Sequence, residues 1–138
     1  MALLDVNALV ALAWDSHVHH VRMRAWFDEH AATGWATCPV SESGFVRVSA
    51  NPKVLPSPID VAAARDVLSR LRAAGRHYFL ADDVSLTDPD VPALIGHRQV
   101  TDAHLLTLAR RRGVRLVTFD TAIATLAGGD AVELLTGF

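Results

Sequence analysis

The chain has 138 residues, of which 51% are hydrophobic and 20% charged, with a formal net charge of −2. That composition excludes a disordered chain and supplies enough apolar surface for one ordinary core. No apolar run reaches the length that a bilayer demands, and the near-neutral balance gives no electrostatic reason to expect nucleic acid. Twelve of the thirteen basic residues are Arg, Lys53 being the exception. Arg suits bidentate phosphate contact, but a GC-rich genome produces the same bias.

The opening Met1-Ala2-Leu3-Leu4-Asp5 has no basic stretch and carries an acid inside its first apolar run, so no secretory signal is expected. Cys38, the single cysteine, reads as a small buried side chain, and a reducing, cytoplasmic location fits. Leu3-Leu4 predicts a strand passing into a helix over Ala8 to Trp14. Asp15 or Ser16 is expected to cap a second helix over His17 to His30, with Val18, Val21, Trp26 and Phe27 as its buried stripe. Gly34 breaks it. Trp35 to Cys38 reads as a second strand, and Pro39 suits the first turn of a third helix carrying Val40, Glu42, Phe45, Val46 and Val48. Asn51-Pro52 ends that helix, and the stretch through Pro56 and Pro58 reads as a rigid loop.

A helix over Asp60 to Ala74 places Val61, Ala64, Val67, Leu68 and Leu71 on one side, and Gly75 closes it. His77 to Ala81 reads as a short strand and Asp82 to Gly96 as an acidic loop. Thr101 is expected to cap a helix that runs to Arg112. Val114 to Thr118 is the clearest strand, and a short helix over Thr121 to Leu126 precedes a last strand over Val132 to Leu135. Short apolar strands alternating with helices predict a single α/β domain over residues 1–138. Its central, mostly parallel sheet is expected to carry helices on both faces.

In such sheets reactive groups gather at the carboxyl ends of the strands, where Asp5 and Asp120 stand. Glu42, one of only three Glu residues, lies on the apolar third helix. Asp102 opens a helix that continues with Ala103, Leu105, Leu106 and Leu108. Each acid alone has a structural reading of equal weight. Asp5 and Asp120 can cap the helices that follow, Asp102 can favour a helix N-terminus, and Glu42 can pair with Arg47 or face solvent. Together, two strand ends and two helix starts can converge on one cleft. Carboxylates packed together must take up protons or bind a cation. An all-oxygen donor set suits Mg²⁺ or Mn²⁺ rather than Zn²⁺, and such an ion activates water against a phosphodiester.

The same segments carry a family resemblance. Leu3-Leu4-Asp5-Val6-Asn7-Ala8-Leu9 resembles the opening of a PIN domain, and Ser41-Glu42-Ser43-Gly44-Phe45-Val46-Arg47-Val48 the second acidic motif of VapC-type toxins. Thr101-Asp102-Ala103-His104-Leu105 and Leu116-Val117-Thr118-Phe119-Asp120 are similar to the third and fourth motifs. Four motifs in family order, from residue 3 to about residue 135, make the likeness specific. It implies a PIN-like fold and a metal-dependent endoribonuclease, a hydrolase acting as the toxin of a type II toxin–antitoxin system. Asp5, Glu42, Asp102 and Asp120 are then the metal-binding and catalytic acids, with Asn7 and Thr118 as supporting polar groups. The resemblance further implies Mg²⁺ or Mn²⁺ as cofactor, RNA such as tRNA or rRNA as substrate, an antitoxin as protein partner, and a homodimer. The expected reaction is in-line attack of metal-activated water on phosphorus, leaving a 5′-phosphate and a 3′-hydroxyl. Pro52 to Val100 carries no motif of the family.

Rival readings fit less well. A Mg²⁺-dependent phosphatase of the haloacid dehalogenase type needs a second Asp where Asn7 stands and a late Lys, and a phospho-receiver domain needs an acidic pair after strand one. A catalytically inactive PIN-like domain that only binds RNA or a partner is opposed by the presence of all four acids. His17 and His20, at i, i+3 spacing, read as a solvated helix face, because no acid or cysteine completes a tetrahedral set. His104 points to a different side of its helix from Asp102. Arg110-Arg111-Arg112 suits a helix C-terminus, and Arg47 and Arg98 are candidate RNA contacts. Trp14, Trp26, Trp35 and Phe27 are expected in the core, unless an exposed member receives an antitoxin helix.

Overall fold

Strands of only three or four apolar residues hold a sheet together when helices bury both of its faces. A computed structural model describes residues 1–55, 59–93, 96–128 and 130–137 of the chain. Strands β1 (Ala2–Leu4), β2 (Trp35–Thr37), β3 (His77–Phe79), β4 (Arg115–Thr118) and β5 (Val132–Leu134) form one sheet in the order β3-β2-β1-β4-β5. Each neighbouring pair is parallel. Successive side chains point to opposite faces, which divides the core in two. Leu4, Trp35 and Val117 face a layer built around Leu9, Met23, Trp26, Phe27 and Phe45. Leu3, Ala36 and Leu116 face Leu105, Leu106, Leu108 and Ile123.

Helices α1 (Val6–Ala13), α2 (His20–His30), α3 (Pro39–Ser49) and α4 (Val61–Arg72) thus cover one face, and α5 (Val100–Arg111) and α6 (Thr121–Ala127) the other. The α/β architecture expected from the sequence is present. Gly44 lets α3 approach α1, since a Cβ there would lie 2.5 Å from Val6 Cγ2. Gly75 has φ +61°, and a Cβ would lie 2.7 Å from the Ala31 carbonyl oxygen. Glycine tolerates both demands.

Several local expectations need correction. Helix α2 begins at His20, with His19 at its N-cap making no side-chain cap bond, whereas Asp15 and Ser16 lie in turns before it. Val18 is 61% and Val21 71% exposed. The buried stripe is Met23, Trp26 and Phe27, at the i, i+3, i+4 spacing of one helix face. Thr101 does not cap α5, because a 3₁₀ turn over His97–Gln99 leads into the helix one residue earlier. Val61 is exposed at the start of α4. The segment Pro56 to Pro58 lies outside the described residues.

The Arg triplet does more than sit at a helix end. Arg111 pairs with Asp88 and Asp90, and Arg112 reaches Asp83 and the Ala81 carbonyl, so α5 pins the acidic loop. His104 pairs with Asp82 of that loop at 2.6 Å. Trp26, Trp35, Phe27 and Cys38 are buried as expected, while half-buried Trp14 donates to Ser49 Oγ at 2.9 Å. Among the described residues no helix is long and apolar enough to cross a membrane.

Candidate active site

The strand order places a switch point between β1 and β4, the first strands of the two halves that wind outward in opposite directions. Ligands of open parallel sheets bind in the crevice beyond the carboxyl ends of such strands. Asp5 follows β1 directly and Asp120 lies two residues beyond β4. Both are also helix caps: Asp5 Oδ1 accepts from Ala8 N–H at 2.7 Å, and Asp120 Oδ1 from Ala122 N–H at 2.8 Å. The structural and the chemical readings of these acids are therefore compatible.

Thr118 joins them. Its hydroxyl donates to Asp5 Oδ2 at 2.5 Å and accepts from Asp120 N–H at 3.0 Å. Asp102 comes from the first turn of α5, on the opposite layer. Among the described residues no hydrogen bond or ion pair reaches its carboxylate. Asp5 is 3% exposed. Burial, followed by the charges of Asp102 and Asp120, pushes its pKa up to about 6 despite the bonds from Thr118 and Ala8. Burial and the charge of Asp120 push Asp102 up to about 6 as well. Three of the four expected acids therefore sense one another's charge.

Glu42 is held separately. Thr37, at the carboxyl end of β2, donates its hydroxyl to Glu42 Oε2 at 2.6 Å, and Arg72 of α4 pairs with the same carboxylate at 3.3 Å. The partner is thus Arg72, not Arg47. With its proton given to Glu42, the Thr37 hydroxyl accepts from His77 Nε2 at 2.8 Å. His77 stays neutral, because burial and the Arg72 charge lower its pKa to about 4. Among the described residues no three His, Cys, Asp or Glu side chains are already placed to hold one metal ion.

Asn7 is exposed in the first turn of α1 and shares a cavity with Asp120. Arg47 and Arg98 are exposed, on α3 and on the 3₁₀ turn before α5. Sequence reasoning missed Thr37, Arg72 and His77. Thr37 is the last residue of its strand, as Thr118 is of β4, and that shared position was the signal available for it. Nothing local marks Arg72, which is 30 residues from Glu42.

The donor chemistry fits a hard divalent cation. The set is all oxygen, and two carboxyls carry raised pKa values, through burial first and then through the negative charge of their neighbours.

Comparison with known proteins speaks to the family and the fold. The PIN domain family matches residues 2–129. Ribonuclease VapC38 of Mycobacterium tuberculosis (strain ATCC 25618 / H37Rv) is 71% identical over 139 aligned positions, covering 99% of each chain. Ribonuclease VapC39 of the same species (strain CDC 1551 / Oshkosh) is 45% identical, over 97% of this chain and 99% of its own. Ribonuclease VapC44 of that strain is 46% identical, over 96% and 94%. Among solved structures, a chain of FitAB bound to an IR36 DNA fragment superposes with a TM-score of 0.64 at 16% identity, covering 97% of this chain and 94% of that one. At that identity the likeness speaks for the fold alone.

Proposed function

The chain belongs to the PIN-domain family and, within it, to the ribonuclease VapC group, and from that premise we infer that it is an endoribonuclease, the toxin of a toxin–antitoxin pair. The full-length likeness to ribonucleases gives neither a phosphatase nor an inactive binding domain any support. The finer reading is one nuclease domain over residues 1–138 that depends on Mg²⁺ or Mn²⁺. It is cytoplasmic, homodimeric, acts on RNA such as tRNA or rRNA, and is restrained by a cognate antitoxin. The observation that supports the metal dependence is the placement of Asp5 just beyond β1, Asp120 just beyond β4 and Asp102 in the first turn of α5, where burial and then neighbouring negative charge raise the pKa values of Asp5 and Asp102.

Asp5, Asp102 and Asp120 would hold the ion, with Glu42 as the fourth acid. When bound, the ion would activate water and offset charge growing on the phosphodiester. The chain's own groups prepare that site. Thr118 fixes the Asp5 carboxylate and the Asp120 backbone with one hydroxyl. The caps on α1 and α6 keep both acids from turning outward. Thr37 and Arg72 orient Glu42. Asn7, Arg47 and Arg98 are exposed groups available to RNA.

Incubating the purified protein with total RNA in Mg²⁺, in Mn²⁺ and in EDTA tests the reading. Cleavage should require the ion and should disappear in Asp102→Asn, with the far-ultraviolet circular dichroism unchanged. Cleavage that persists in EDTA would remove the metal, and no cleavage under any condition would remove the nuclease.

A further inference from the structure

Strand β3 lies at the edge of the sheet, in a stretch of sequence without a family motif, yet it sends a side chain towards the candidate site. Its register with β2 sets Trp35 opposite His77 and Thr37 opposite Phe79. Thr37 and His77 are therefore diagonal neighbours on one face of the sheet, a spacing that long side chains bridge. His77 Nε2 lies 2.8 Å from Thr37 Oγ1. The imidazole also meets the Trp35 ring in a T-shaped contact, with centroids 4.7 Å apart and planes at 62°. Trp35 is itself fixed, since its Nε1 donates to the Ala74 carbonyl at 2.9 Å.

Proton counting gives the His77 contact a direction. A threonine hydroxyl has one proton and two lone pairs. At Thr37, fully buried at the end of β2, that proton goes to Glu42 Oε2 at 2.6 Å. The 2.8 Å contact is then a donation from His77 Nε2–H into a lone pair of the hydroxyl. A tautomer with a bare Nε2 would compete with Glu42 for the single proton and deprive the carboxylate of its shortest contact. A donor behind a hydroxyl also strengthens the bond that the hydroxyl gives, by about 10–30%. An apolar ring would pack against Trp35 equally well, but it would leave the buried Thr37 oxygen short of a donor.

We propose that His77 is a positioning residue of the nuclease, which acts through Thr37 to hold the Glu42 carboxylate in place. This role rests on the ribonuclease reading above, including the place of Glu42 among the four acids. It extends the site to an edge strand that touches none of the other three.

Steady-state cleavage of a labelled RNA in Mn²⁺, by the wild type and by His77→Gln, His77→Phe, Thr37→Val and the double variant of the last two, tests it. Gln keeps a donor near the place of Nε2, whereas Phe keeps only a ring. His77→Phe should lower kcat by about 2- to 10-fold, the ordinary net worth of one hydrogen bond, with KM unchanged. His77→Gln should recover most of that loss. In the Thr37→Val background His77→Phe should cost nothing further, because the path to Glu42 is already cut. Full activity in His77→Phe, equal losses in the Gln and Phe variants, or additive losses in the double variant would overturn the role. A readout without any variant is the ¹⁵N spectrum of the His77 ring in the wild type at pH 7.5. It should show the proton on Nε2 and a bare Nδ1, and the reverse tautomer would overturn the role by itself. Failures of the premise look different: a wild type that cleaves no RNA sinks the nuclease, and a fully active Glu42→Gln removes Glu42 from the reaction and His77 with it.

Discussion

Replacing Asp5 by Asn should stabilise the metal-free protein at neutral pH. The Asp5 carboxyl is almost wholly buried and its pKa stands at about 6, against 3.8 for an ordinary Asp. At about 1.36 kcal/mol for each pH unit of that difference, the ionised side chain costs the fold about 3 kcal/mol above pH 6. The sign follows from linkage. The folded state keeps the proton until about pH 6 while the unfolded chain loses it near 3.8, so this stability is fully present below pH 3.8 and lost as pH rises through 6. The amide is isosteric with the protonated carboxyl, and its oxygen can still cap Ala8. Rearranging the Thr118 bond removes about 1 kcal/mol, the ordinary net value of one hydrogen bond. A net gain of about 2 kcal/mol at pH 7.5 remains on this linkage arithmetic. Urea unfolding in EDTA, followed by the fluorescence of Trp14, Trp26 and Trp35, measures it at pH 7.5 and 4.5. The midpoint difference should be large at the higher pH and shrink at the lower. A variant less stable than wild type at pH 7.5 would refute the claim that crowding and burial strain this carboxylate.

Thr118→Val should destabilise by about 2 kcal/mol in the same assay, because it strips a donor from buried Asp5 and an acceptor from Asp120 N–H. Gly75→Ala should cost more than about 1 kcal/mol, since φ is positive and the new methyl meets the Ala31 carbonyl; thermal melting reads this directly. Phe45→Ala opens the centre of the α1–α4 layer, where the ring is fully buried and lies stacked near Trp14. A loss of about 3–5 kcal/mol is expected by chemical denaturation.

The fold was readable because β1, β2 and β4 are short, largely apolar runs ended by or followed by a polar residue, a pattern that needs no knowledge of distant chain. Asp5 and Asp120 stood out for the same reason. What was misread depended on contacts far apart in sequence. Asp15 and Ser16 are good caps by type, yet the chain turns once more there and leaves Val18 and Val21 outside. Glu42 finds Arg72 across 30 residues and Thr118 finds Asp5 across 113. The Arg triplet looked like a helix-end preference, and only the folded loop reveals Asp83, Asp88 and Asp90 opposite it. His17 and His19 fall in the turn before α2 rather than on its solvated face, which is how they come to line a cavity beside Asp120.

Soaking crystals of the protein in Mn²⁺ and mapping the anomalous signal locates the ion itself. The account predicts a single strong peak, or a close pair, within coordinating reach of the Asp5, Asp102 and Asp120 carboxylates, with Glu42 turned towards it from Arg72. A saturating soak whose peaks all lie away from those three side chains would contradict it.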